Sequence, residues 1–129
     1  MVNPETWQPW LGLPHIIGAD PAEGRGACCL RMAAALYRAA GRPFPDPDPF
    51  LELARRGQWG VLQIRFEKLS EPVEPGPLAL TLLRNPREGL GIGIHVGTHL
   101  LMPHHRRGVV AVPVELLKPL AYRRPLEMA

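Results

Sequence analysis

Between residues 26 and 41 the apolar positions fall on one side of a helix. Cys29, Met32, Ala33, Leu36, Tyr37 and Ala40 recur at three- and four-residue steps, with Arg31 and Arg38 on the other side. The spacing predicts a helix over roughly 27–40, with Gly41 taking the left-handed position past its end and Pro43 barring continuation. Residues 1–26, which hold Trp7 and Trp10, show no helical period and predict an N-terminal arm or short helix followed by a loop. Residues 42–49, alternating Pro with Phe and Asp, predict a stiff extended linker. Asp48 is then expected to N-cap a second helix, with Pro49 at its first position, running through Phe50, Leu51, Leu53 and Ala54 to a stop at Gly57.

From residue 58 the period changes to two. Val61, Ile64 and Phe66 predict a strand or extended segment, Glu74–Pro77 a turn, and Leu78–Leu83 a buried strand. A loop is expected at 85–89. Ile92, Ile94 and Val96 predict the next strand, Gly97-Thr98 a turn, and Leu100–Met102 and Val109–Val114 two more strands. Residues 115–126 predict a short helix or loop and a closing strand. Helices first and close-spaced strands after them give the α+β class, with N-terminal helices packed on an antiparallel meander sheet.

Composition narrows this picture only modestly. The 129 residues suit one domain with a real core, and 46% hydrophobic and 21% charged residues are ordinary for a globular chain. The net charge is +3, and thirteen of the fifteen basic residues are Arg, scattered rather than clustered with aromatics. Nucleic acid is therefore not an expected partner. No apolar run reaches the length of a membrane span, and the opening residues lack the basic and apolar regions of a signal peptide. Two adjacent cysteines make no disulfide framework.

The same cysteines are the first candidate chemistry. Cys29 falls in the first turn of the predicted helix, directly after the glycine-bearing loop 23–26. Unpaired backbone N–H groups and the positive end of the helix dipole favour thiolate there. The plainer alternative is that Cys28 and Cys29 are small buried hydrophobes.

The order of these features resembles the NlpC-like cysteine peptidases, small papain-like enzymes that cut peptide bonds in bacterial cell-wall peptidoglycan. The similarity is to the versions carried in phage tails and gene-transfer agents. Trp10-Leu11-Gly12-Leu13-Pro14-His15 echoes the family's first stretch. Gly26, Cys29, Tyr37, Gly41 and Phe44-Pro45 follow its cysteine-helix motif, and Glu74–Leu80 is similar to its strand motif. The likeness covers about residues 7–117 and implies a papain-like NlpC-type fold with Cys29 in the nucleophile position. Departures are Cys28 where the family has Asp, Arg31 where it has Gly, and Pro77 where it has Asp.

Such chemistry needs a base and an orienting group. Two alignments remain open. In one, His95-Val96-Gly97 starts the family's histidine motif, His95 is the base and the following hairpin is short. In the other, residues 91–97 match the whole motif without a gap, Gly91 stands at the base position and His95 replaces a Tyr. Strand alternation favours the second, because it sets Ile92, Ile94 and Val96 on one face. In both, His104 is the orienting residue that the resemblance implies. A metal reading of His95, His99, His104 and His105 is disfavoured, since the segment is strand and turn rather than a helix that would gather ligands. No cofactor or metal is expected.

The resemblance thus implies a phage or phage-derived tail-tip or tail-assembly protein with a degenerate peptidase site. Its expected partners are other tail proteins, and its expected location the virion tail or, before assembly, the host cytoplasm. If the site is active, the substrate is the peptidoglycan stem peptide, cut by Cys29 with His95. Two further readings stay open: a small binding or regulatory domain without a wall connection, and a redox or metal protein using Cys28-Cys29.

Overall fold

A computed structural model describes residues 2–85 and 89–126 of the chain. The centre of the loop expected at 85–89 lies outside the described residues. Four helices come first: α1 (Pro4–Trp7), α2 (Cys29–Ala39), α3 (Asp48–Arg55) and α4 (Trp59–Lys68). Six strands follow: β1 (Ser70–Val73), β2 (Leu80–Asn85), β3 (Gly89–His95), β4 (His99–His104), β5 (Gly108–Pro113) and β6 (Tyr122–Pro125). They form one sheet in the order β1-β6-β2-β3-β4-β5, and every pairing between them is antiparallel. The α+β class is therefore observed.

Helix α2 packs on β3 at the centre of the molecule. Met32, Ala33, Leu36 and Tyr37 bury one face as their spacing predicts, Leu30 joins them, and Ala40 is exposed. Gly41 takes φ +70°, and the Arg42 N–H donates to the Tyr37 carbonyl, which closes the helix end. The Tyr37 hydroxyl donates to the Leu78 carbonyl and so ties the helix to the turn before β2. Burial pushes the Tyr37 phenol up to about 12.

Helix α3 begins at Asp48 rather than one residue later, and the Asp46 carboxylate accepts the Asp48 N–H. This frees Asp48 for Arg31, whose guanidinium donates to it at 2.7 Å.

The segment expected as a strand around Val61–Phe66 is instead α4. Its buried positions are Leu62 and Phe66, four apart, while Val61 and Ile64 are exposed. Two of the three residues read as extended, Val61 and Ile64, face solvent, and only Phe66 of that set is buried. Strand β1 had no counterpart in the hydrophobic pattern. It is an edge strand containing Pro72, which a sheet edge tolerates because one side of the strand pairs with nothing.

Strands β2 to β5 form a meander, but β6 enters between β1 and β2, so the sheet as a whole is not one. Alternation along β3 divides the sheet's two faces. Ile92 and Ile94 meet the helices, together with Leu80 and Leu101. His95 and Leu100 face the other way, where Tyr122, Val114, Leu117 and Leu120 form a second apolar cluster. The connection from β5 to β6 carries three of those residues across the far face.

The N-terminal arm is strapped to β5 by backbone bonds: Gly12 N–H to the Val109 carbonyl and Val109 N–H to the Leu13 carbonyl, both 2.9 Å. Gly108 permits this approach. Its φ is +74°, and a Cβ there would lie 2.3 Å from the Leu13 carbonyl oxygen. Gly108→Ala is expected to destabilise the chain by about 3 kcal/mol, through backbone strain plus loss of the strap. Chemical denaturation checks this, and hydrogen exchange should show the loss of protection concentrated at Gly12 and Val109.

Candidate functional site: a cysteine pair in an apolar cleft

Cys28 is the N-cap of α2 and Cys29 its first helical residue. Cys28 stands where Asp or Ser usually caps a helix, and its side chain makes no cap hydrogen bond. The arm closes over this corner. Ile16 N–H donates to the Ala27 carbonyl, Ala27 N–H to the Pro14 carbonyl, and Cys28 N–H to the Ala19 carbonyl, all at about 3 Å. His15 and Ala27 thereby form a parallel bridge. Gly26 is required beside it, because a Cβ would come within 2.6 Å of Ile16 and 3.0 Å of the Pro14 carbonyl oxygen. This accounts for a glycine three residues ahead of Cys29.

Both cysteines are free and buried, and both line a cleft of about 260 Å³. Helices α3 and α4, the edges of β2 and β3, and the arm supply its walls, with Leu51, Trp59, Leu82 and Ile92 among them. His15 and Gly91 also line it. Arg31 does not enter it, being turned to Asp48 on α3.

The two sulfurs behave as one acid. The Cys29 thiol donates to Cys28, and the amides of Gly18, Arg31 and Leu30 add to this, against the opposing effect of burial; the Cys28 thiol is pushed down to about 5. Cys29 goes the other way: its hydrogen bond to Cys28, its burial and the negative charge beside it all push its thiol up, although the Ile92 and Leu30 amides face it. The cap position, not the first helical residue, is thus the better home for negative charge. Motif register pointed to Cys29; Cys28 is favoured chiefly through its hydrogen bond with Cys29, and the Gly18 amide of the arm adds to it.

The residues proposed from sequence are only partly gathered. Cys29 and Gly91 share the cleft. A Cβ at Gly91 would point toward the Pro103 ring, 3.7 Å away, not toward the sulfurs. His95 lies on the opposite face of the sheet, where its ring meets Tyr122 edge-on at 5.7 Å and its Nδ1 accepts the Gly97 N–H. Burial lowers its pKa. His104 ends β4, where its Nδ1 accepts the Arg106 and Arg107 N–H groups and its ring stacks on His105 at 4.7 Å. Neither His95 nor His104 lines the cleft. His15, noted in the sequence only as part of an echoed stretch, is the histidine that does so among the described residues. Its chain neighbours gave no sign of this; the bridge to Ala27 brings it there. Among the described residues no group of three or more His, Cys, Asp and Glu side chains could hold a metal ion, and no helix is long and apolar enough to cross a membrane.

Ultraviolet titration of thiolate should find one thiolate per chain at neutral pH and the second only in strong alkali. Cys29→Ala should raise the Cys28 midpoint by removing its main donor. His95 should add a stability component with the opposite chemistry. The fold holds it neutral, so its contribution is complete above about pH 6.5 and declines as pH falls, because the unfolded chain binds a proton that the folded chain resists. Denaturation of wild type and His95→Leu between neutral and mildly acid pH checks this, with the smaller pH slope expected in the variant. Compared with known proteins, the chain matches no protein-family model and no curated protein.

Proposed function

We propose that the chain is a papain-like, NlpC-type domain of a phage or phage-derived tail, retained for assembly rather than for cutting peptide bonds. The observation that carries this reading is the composition of the cleft wall opposite Cys29. That wall is the backbone of Gly91 and Ile92, with no histidine from β3 among the lining residues. The helix-borne cysteine, the antiparallel strands after it and the turn-bound Tyr37 all accord with the resemblance. Among the described residues lining the cleft, what is missing is the histidine that the resemblance expects from the strand region of residues 91–95.

The active alternative, an endopeptidase using Cys29 with His95, requires the imidazole to act from the side of the sheet that holds Tyr122 and Leu100. A general base must reach its proton within hydrogen-bond distance or through one water, and a β-sheet stands between this pair. In the assembly reading the partners are other tail proteins.

Two measurements test the proposal. Purified peptidoglycan incubated with the chain should release no more stem peptide than with Cys29→Ala. Release that depends on Cys29 would make the protein an active wall peptidase. Mass spectrometry of purified particles should find the chain at fixed copy number with tail proteins, and its absence from particles removes the tail assignment. Gly91→His alone should not create activity, because the new side chain starts toward Pro103.

A further inference from the structure

We infer that Cys28 is a site of acyl attachment and that the apolar cleft beside it receives the acyl chain. This stands apart from the tail reading and needs only the cleft and its two sulfurs. The walls are mainly apolar: Ile17, Leu51, Leu62, Leu82 and Leu90 line the open cleft with the Trp59 ring. Among the described residues the polar side chains lining it are His15, Cys28 and Cys29, with no Arg, Lys, Asp or Glu. An occupant bearing carboxylates, as a wall stem peptide does, would bring unpaired charge into that surface. A saturated chain would only replace water on apolar walls. The cleft, about 260 Å³, has room for several methylene-sized groups.

The cleft also meets a nucleophile. Cys28 and Cys29 are each more than nine-tenths buried and both line it. Cys28 is the N-cap of α2, at the positive end of the helix dipole, and its thiol is pushed down to about 5. The donor consistent with this is an acyl thioester. The Cys28 thiolate adds to the carbonyl carbon and forms a carbon–sulfur bond. The donor's own carbon–sulfur bond then breaks, and its sulfur leaves as a thiolate that takes a proton from water. The step is an exchange of one thioester for another and consumes no oxidant or reductant.

Decanoyl-coenzyme A and acetyl-coenzyme A are suitable probes, each incubated with the full chain at neutral pH and followed by intact mass and peptide mapping. Each fully buried methylene is worth about a fourfold preference, so even partial insertion should make decanoyl transfer at least about tenfold faster than acetyl transfer. The expected product is one hydroxylamine-labile adduct on Cys28, absent in Cys28→Ser and present in Cys29→Ala. Ala54→Leu, which narrows the cleft from α3, should slow decanoyl transfer severalfold more than acetyl transfer. That variant keeps both sulfurs and so separates loss of the cleft from loss of the fold. Equal rates for the two probes, an adduct on Cys29, or no adduct on natively folded chain overturns the assignment. None of these outcomes bears on whether the protein is found in tails.

Discussion

The packing of α2 against β3 is the contact on which the rest of the molecule depends. Met32, Ala33 and Leu36 on the helix and Ile94 on the strand lose essentially all contact with solvent. Interiors packed at crystal-like density tolerate little displacement, so this contact fixes both the height and the rotation of the helix over the sheet. Its first turn is thereby held beside Gly91 and Ile92. The cysteine corner is a consequence of that register and has no independent scaffold.

A second constraint turns the corner into a distinctive environment. The arm is pinned at Gly12–Leu13 to β5 and at Pro14–Ile16 to Ala27, which leaves little freedom for the turn carrying Gly18. That turn adds an amide to those at the start of α2. Two adjacent thiols in such a place cannot both ionise, because the second charge would sit beside the first in a desolvated pocket. One proton is therefore shared, with the charge favoured on Cys28 and the hydrogen on Cys29. An ordinary Asp or Ser at the cap would have satisfied the same amides without creating a nucleophile.

Strand alternation explains why the histidines do not join this chemistry. Residues one apart on β3 face opposite sides of the sheet, so the Ile92–Ile94 set that meets the helices commits His95 to the far cluster. There it is a buried neutral ring holding the turn into β4 through the Gly97 N–H. His104 does comparable work at the next turn. Both are structural groups where they stand, and the imidazole on the cleft arrives from the arm.

Local chemistry determined much of this in advance. The step of three and four along α2, the left-handed Gly41 and the alternation of Ile92 and Ile94 act within a few residues, so the sequence alone carried α2, the course of β3 to β5 and the α+β class. It also placed a cysteine at the start of a helix. Tertiary structure decided what the neighbours of each residue would be. Val61 and Ile64 look like strand residues until Leu62 and Phe66 are seen to be the buried ones. Ser70–Val73 becomes a strand only because β6 returns from fifty residues away to pair with it. Likewise His15 reaches the cleft only through its bridge to Ala27, and the arm adds the Gly18 amide to the influences that lower the Cys28 thiol. Periodicity records which face of an element is apolar; it does not record which distant segment will cover that face.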